Sequence, residues 1–123
     1  MVEFADWLHA DSPADESLYA ARAWNLILRN PVELVFKRGN TMLETQTVRV
    51  EYDNEESPIQ GSSGAQGSRR DVIVYGVKNH PNEDVLDTDI KRGDQFSYLG
   101  RHFKVTDVIV NLGSVQAMTE AIS

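Results

Sequence analysis

The first clear periodicity along the chain is helical and ends at Pro31. Ser12-Pro13 combines an N-cap residue with proline at the first helical position, a sequence that favours a helix start. Apolar residues then recur near helical spacing at Leu18, Ala21, Trp24 or Asn25, and Leu28. Pro31 ends the segment because the residue before a proline avoids the helical region. The pattern predicts that residues 1–30 are partly helical, with a further short helix considered around 2–9.

After Pro31 the apolar period changes to two, which is typical of β-strands. The segment 71–77 is apolar on both faces, which favours a central position in a sheet. Turn signals separate the strands at Arg38-Gly39-Asn40, at Gly100-Arg101 and at Asn111-Leu112-Gly113. The predicted strands are 32–36, 47–52, 71–77, 95–99, 102–110 and 114–121. We therefore expect a mainly β fold, a small β-barrel or sandwich of about six short antiparallel strands with an N-terminal helical segment.

One segment, residues 53–70, departs from this alternation. It contains Glu55-Glu56-Ser57-Pro58 and a Gly/Ser-rich run from Gly61 to Ser68, with almost nothing that could bury apolar area. It joins two well-patterned strands, which indicates a long flexible loop of the barrel and not a linker between domains. Loops of this length in a compact domain are often functional, although a tolerated insertion is the alternative. We expect one domain, 1–123, with the β-barrel spanning 31–121.

Composition narrows the class of function. The net charge is −7, with 19 acidic against 12 basic residues, which disfavours a free-standing nucleic-acid binder. One acidic cluster spans 51–56 and another spans 83–89; each is solvated loop surface or a surface for a basic partner. The chain has no cysteine, so disulfides and thiolate chemistry are excluded. No apolar run reaches the length of a membrane helix and the N-terminus opens with an acidic residue, so we expect a soluble intracellular protein.

The search for catalytic and ligand-binding motifs predicts no enzyme, no cofactor and no metal. His9, His80 and His102 are isolated in sequence and form no metal-binding pair. The run from Asp87 to Gly93 resembles a calcium loop but has Lys91 at a ligand position, so turn chemistry accounts better for its aspartates. No phosphate-binding glycine loop and no nucleophile elbow occur.

The C-terminal half carries the most specific pattern. The run Thr88-Asp-Ile-Lys-Arg-Gly-Asp-Gln-Phe96 is followed by Tyr98-Leu-Gly-Arg-His-Phe103-Lys-Val-Thr-Asp-Val108 and then by Val115-Gln-Ala117. Read directly, it is a β-meander around the Gly100 turn, with Phe96 and Tyr98 on one face. This order of residues resembles the head-closure or stopper proteins of tailed bacteriophages, a family of small β-barrel head–tail connectors. The N-terminal half is similar to the same family at Asn30-Pro31-Val32 and at the strand before the long loop.

The resemblance implies a non-catalytic structural protein of the phage or prophage neck. Such a protein forms a homo-oligomeric ring that docks on the portal or adaptor, receives the tail protein and closes the channel. DNA passes through the channel without specific binding, no membrane is involved, and assembly takes place in the bacterial host cytoplasm. The long loop is the expected interface, through Glu55, Glu56, Gly61, Ser62, Ser63, Gly64, Gly67, Arg69 and Arg70.

Three alternatives remain open at this point. The first is a minor tail or tail-attachment component of the same kind of virion. The second is a small β-barrel binding module for peptide or single-stranded nucleic acid, with aromatics supplied by Tyr52, Tyr75 and Tyr98. The third is an enzyme, for which a pocket would have to combine His80 or His102 with Asp89 or Asp94.

Overall fold

The computed structural model describes residues 13–53 and 71–122. Helix α1 spans Pro13–Arg29, 17 residues, which confirms the predicted helix and its end before Pro31. The Asn30 amide donates to the Ile27 carbonyl at 3.1 Å and closes the last turn. The predicted cap at Ser12 and the short helix around 2–9 lie outside the described residues.

Eight strands follow within the described residues, and the mainly β fold class is confirmed. They are β1 Val32–Leu34, β2 Lys37–Arg38, β3 Thr41–Met42, β4 Gln46–Tyr52, β5 Val72–Val77, β6 Gln95–Tyr98, β7 Arg101–Asn111 and β8 Ser114–Ala121. The six predicted strands all occur, although the first is shorter than expected. The two strands that the pattern missed, β2 and β3, have only two residues each and flank the predicted turn at Gly39-Asn40. Two residues are too few to show an alternation.

The strands form one antiparallel sheet in the order β1-β4-β5-β8-β7-β6-β2-β3. In the chain, β1 and β2 are separated only by Val35 and Phe36, yet they belong to opposite sides of this order. The sheet must therefore curl until its two sides meet, and the result is a half-barrel. Phe36, at the crossing point, is fully buried.

The inner face of the half-barrel holds the main core. Alternate residues of the interior strands point inward, and three phenylalanines fill the centre. The ring centroids of Phe36 and Phe96 lie 5.3 Å apart, and those of Phe96 and Phe103 lie 5.4 Å apart. The predicted inward face of the last strand, Val115 with Ala117 and Thr119, is confirmed, since all of these are buried.

Helix α1 packs against the outer face of the same sheet. Ala20 and Ile27 form a second buried cluster with Val77 at the end of β5. Arg49 of β4 reaches the helix as well, since its Nη1 donates to the Leu26 carbonyl at 3.1 Å. Strand β5 is thus covered on both faces and has a neighbour on each side, as its apolar pattern predicted.

Two tight hairpins join the last three strands. The pairing of Tyr98 with Arg101 places the first turn at Leu99-Gly100, both with positive φ, 51° and 81°. The predicted turn at Gly100-Arg101 is therefore wrong by one residue, because Leu99 adopts the left-handed conformation beside the glycine. The second turn, at Leu112-Gly113, agrees with the sequence.

Strand β7 contains a bulge. Its register with β8 shifts between Val105, opposite Thr119, and Asp107, opposite Met118, so Thr106 is an extra residue. Before the bulge Phe103 and Val105 face the core, and after it Val108 contacts the core while Asp107 is exposed. Without the extra residue the alternation would direct the Asp107 carboxylate into the core.

The hairpin glycine at 113 generates a testable prediction. It has φ +79°, and a Cβ atom there would lie 2.5 Å from the Ala20 backbone nitrogen of α1. Gly113→Ala should destabilise the protein by about 3 kcal/mol, combining left-handed strain with a backbone clash. Urea denaturation followed by circular dichroism measures this loss.

Gly100→Ala is the matched control for that change. Gly100 has a similar φ of +81° but open space around the position of a Cβ. Gly100→Ala should therefore lower the free energy of unfolding by only about 1 kcal/mol, the cost of the left-handed strain alone. Equal losses of stability in the two variants would show that the Gly113 turn is not in close contact with the helix.

Candidate interaction surfaces

A buried carboxylate ties the short hairpin β2–β3 to the rest of the sheet. The side chain of Asp94 is 1% exposed. It accepts hydrogen bonds from Arg38 Nε at 2.9 Å, from Arg38 Nη2 at 2.8 Å and from the Lys91 amide at 2.8 Å. The Asp94 backbone carbonyl also accepts from the Val105 amide, which fixes the residue between β6 and β7.

Arg38 shares its guanidinium between two acids. Besides Asp94, it contacts the exposed carboxylate of Asp89, with Nη2 donating to Oδ1 at 2.9 Å. The pKa of Arg38 is raised above its ordinary value, most strongly by the hydrogen bonds to Asp94 and next by those to Asp89. Because Asp94 is desolvated and Asp89 is not, the two ion pairs contribute very differently to stability.

The loop between β5 and β6 presents an exposed leucine on a fixed backbone. We call residues 82–87 of this segment the Leu86 loop; the side chain of Leu86 is 76% exposed. Within it, the Val85 amide donates to the Asn82 carbonyl and the Asp84 amide donates to Asn82 Oδ1. Asp87 Oδ1 accepts from the Asn79 amide at 2.8 Å, so this aspartate links two points of the segment eight residues apart and does not form the local turn that the sequence predicted.

The residues that follow this loop are anchored to the sheet. The Thr88 amide donates to the Val77 carbonyl, and Thr88 Oγ1 accepts from the Val77 amide at 2.8 Å. Gly76 has no side chain at the point where Thr88 packs. The side-chain amide of Gln46 binds both backbone groups of Asp89, at 2.9 and 2.7 Å. The leucine is therefore held in place by many hydrogen bonds and not by burial of its own side chain.

A groove lies on the other flank of α1, between the helix and the outer face of β4, β5 and β8. We call it the helix–sheet groove; its volume is about 440 Å³. Tyr19, Leu26 and Leu112 line it and are each close to half exposed. Its basic lining residues are Arg22, which lies 6.0 Å over the Tyr19 ring, and Arg49.

Arg49 is incompletely satisfied within this groove. Its Nε lies 2.8 Å from Glu51 Oε2, but the angle does not make a hydrogen bond, and no other described residue accepts from this buried nitrogen. Tyr75 lies beside it on β5. The pKa of the Tyr75 phenol is raised above its ordinary value, mainly by burial and to a smaller extent by the nearby Glu51 carboxylate.

A wider cleft of about 620 Å³ opens on the side of the Leu86 loop. It lies between the loop and the segment joining β3 to β4, with Trp24 of α1 at its back. Of the described residues that line it, four are acidic and none is basic: Glu44, Asp84, Asp87 and Asp89. The acidic cluster predicted around 83–89 therefore borders apolar side chains, among them the 62% exposed Met42.

The candidate histidines do not meet the acids with which a catalytic site would pair them. His80 Nδ1 accepts from the Asn82 amide, and its ring lies edge-on to Trp24 with centroids 6.3 Å apart. His102 Nδ1 lies 2.9 Å from Ser97 Oγ across the β6–β7 hairpin. Neither histidine lies with Asp89 and Asp94, which are grouped around Arg38. Among residues 13–53 and 71–122, no group of three His, Asp or Glu side chains could hold a metal ion.

The three tyrosines of the binding-module hypothesis separate into two places. Tyr52 and Tyr98 approach with ring centroids 6.5 Å apart, at the end of the half-barrel where β4 ends and β5 begins. Tyr75 belongs to the outer face and lines the helix–sheet groove. The structure therefore provides a pair of tyrosines, not the continuous aromatic surface that the hypothesis needs.

The predicted interface residues of the long loop, 55–70, lie outside the described residues. The segment that contains them leaves and rejoins the sheet at one point, since the Asp53 amide donates to the Asp71 carbonyl at 2.9 Å.

Comparison with known proteins gives no relative. No protein-family model matches the chain, and neither the curated proteins nor the solved structures contain a match. In the part of the chain that the structure describes, no helix is long and apolar enough to cross a bilayer.

The surfaces that the structure reveals were only partly visible in sequence. The acidic residues of the Leu86 loop are evident, but Leu86 itself reads as one apolar residue in a polar run. The role of Asp94 depends on Arg38, 56 positions away. A short sequence signal exists for Asp94 alone, since an aspartate three residues after Lys91 can accept from the Lys91 amide.

Removing the guanidinium at position 38 should leave the Asp94 carboxylate buried with a single hydrogen bond. We expect Arg38→Met to lower the free energy of unfolding by about 3–5 kcal/mol. The double variant Arg38→Met/Asp94→Asn should recover part of the loss, because the amide oxygen still accepts from the Lys91 amide without a buried charge. Urea denaturation measures both. Arg92→Met, at an exposed turn, is the control and should change little.

Tyr75 should make stability depend on alkaline pH. A phenol whose pKa is higher in the folded than in the unfolded state holds its proton longer when folded, so stability falls as pH rises above about 10. Tyr75→Phe should reduce this fall relative to Tyr19→Phe, which serves as the control. Thermal unfolding between pH 8 and 11 measures it, and identical profiles for the two variants would contradict the assignment.

Proposed function

We propose that this protein is a non-catalytic ring subunit of the neck of a tailed bacteriophage or prophage. In this role it joins the DNA-filled head, through the portal or adaptor, to the tail, and closes the DNA channel. Its place would be the virion neck, after assembly in the host cytoplasm. The proposal starts from the resemblance of most of residues 24–121, and most specifically of the C-terminal half, to head-closure proteins.

The observation that best supports it is the presence of two unlike surfaces on opposite flanks of α1, each with exposed apolar side chains. The Leu86 loop projects on one flank, and the helix–sheet groove lies on the other. A subunit of a closed ring uses two different patches, one for each neighbour, whereas a symmetric dimer uses one patch twice.

The arrangement of the resembling residues is also coherent. Phe96 and Phe103 occupy the centre of the core, and the glycine of the motif forms the first hairpin turn. The residues quoted for the resemblance thus make one meander, β6–β7–β8. An acidic molecule is also suited to a channel in which DNA must move, because it offers phosphates few attractive contacts.

A tail-attachment component would use the same surfaces, and this alternative is separated by the partner it binds. A nucleic-acid-binding module is favoured by one observation, the Tyr52–Tyr98 pair, and opposed by the net charge.

The deciding experiment is negative-stain electron microscopy of the purified protein mixed with the portal from the phage or prophage that encodes it. We expect an added ring on the tail-facing side of the portal, where the tail protein of the same phage then binds. A portal without any added density would contradict the neck function. Rings that bind the tail tube but not the portal would support a tail component. Retention of single-stranded DNA on a filter at low salt would support the binding module.

A further inference from the structure

We propose that the Leu86 loop of one copy of this chain seats in the helix–sheet groove of the next copy. The contact would be the subunit interface of the ring, and in that respect the inference rests on the proposed function. It joins a projecting element to a recess on two different parts of the molecule.

The positions of the two elements allow each copy to use both at once. Trp24 and Val85 both pack against the Ala20–Ile27 cluster and line the same cleft, so the Leu86 loop lies on the Trp24 flank of the helix. Leu26, which lines the groove, is two residues beyond Trp24, or about 200° around the helix axis. The loop and the groove therefore face in opposite directions across α1. A contact between unlike, oppositely directed patches leads to a ring or an open filament, and not to a closed dimer.

The shapes and polarity of the two surfaces match. Leu86 projects with 76% of its side chain exposed, and the groove offers apolar walls at Tyr19, Leu26 and Leu112. A volume of about 440 Å³ lies within the range of recesses that bury small ligands, about 300–1,000 Å³, so one leucine with its neighbouring backbone can enter.

The charges match as well. Glu83, Asp84 and Asp87 surround Leu86 in the loop. The groove presents the exposed Arg22 and, deeper, Arg49, whose Nε lies 2.8 Å from the Glu51 carboxylate that also lines the groove, so its lining carries two basic residues and one acid. Seating the loop would bring its acids beside the exposed guanidinium of Arg22. Close pairing of opposite charges around an apolar anchor is the usual arrangement of a specific contact.

The loop enters the contact without a large ordering cost. Its backbone is already fixed by the bonds to Asn82, Thr88 and Asp89 described above. Preorganisation of this kind favours binding, because little conformational freedom remains to be lost.

The test uses two variants that each break one side of the contact. Asp84→Lys/Leu86→Asn alters only the loop, and Arg22→Glu/Leu26→Glu alters only the groove. In sedimentation velocity from 10 µM to 1 mM we expect self-association of the wild type, weakened about tenfold or more in each variant. Mixing the two variants should restore one contact and give a 1:1 dimer and nothing larger. A like-with-like interface would show no such complementation.

Leu99→Asn/Arg92→Glu is the matched control, since it changes an exposed leucine in the β6–β7 turn and an exposed arginine in the turn before β6. Asn tolerates the left-handed φ at position 99. The control should associate like the wild type, and the ¹H–¹⁵N spectra of all variants should remain folded. A wild type that is monomeric at 1 mM, variants that associate normally, or a mixture that stays monomeric would each overturn the contact.

Applying the same variants to the portal experiment separates the two proposals. Rings that form on the portal equally well with every variant would overturn the loop-in-groove contact and leave the neck function. Complementing variants in solution, with no density on the portal, would support the contact and overturn the neck function.

Discussion

The carboxylate of Asp94 can remain inside the half-barrel only because Arg38 and the Lys91 amide hold it. This constraint reaches well beyond one ion pair. Hairpin β2–β3 joins the sheet by a single register pair, Lys37 with Gln95, so backbone pairing alone holds it weakly. The guanidinium of Arg38 supplies the remaining connection, and through Asp89 it also reaches the end of the loop that carries Leu86.

The same connection explains why the curled sheet has a defined opening. Gln46 of β4 binds Asp89 from one side, and Arg38 of β2 binds it from the other. Asp89 thus provides a further link between the two sides of the half-barrel, besides the chain connection through Val35 and Phe36. Because these hydrogen bonds fix Asp89, they also fix the end of the Leu86 loop that precedes it, and the loop can present its leucine to solvent in one position. Stability of the core and presentation of the surface therefore depend on one set of polar contacts.

Much of the fold could be predicted from local pattern. The helix start and end, the positions of the main strands, the central place of 71–77 and the inward face of β8 all follow from spacing. The failures have physical reasons. Strands β2 and β3 are too short to alternate, and the first hairpin turn moved by one residue because Leu99 accepts a left-handed backbone.

The surfaces were less predictable than the fold. The groove exists only because α1 lies across three strands that are distant in sequence, and no local pattern records that contact. Leu86 could not be separated from an ordinary loop residue until its backbone bonds were known. The acidic cluster around it was visible in sequence, but its apolar neighbours Trp24 and Met42 come from other elements. The interface expected at 55–70 remains a prediction.

The bulge at Thr106 has a consequence for how this chain is compared with others. On its two sides, odd-numbered and even-numbered positions of β7 exchange their roles. A sequence alignment that places its gap a few residues away from the bulge would match solvent-facing positions of one protein to core-facing positions of the other. A true relative could then score as unrelated along this strand. Superposing the backbones on both sides of the bulge would be a more reliable test of homology.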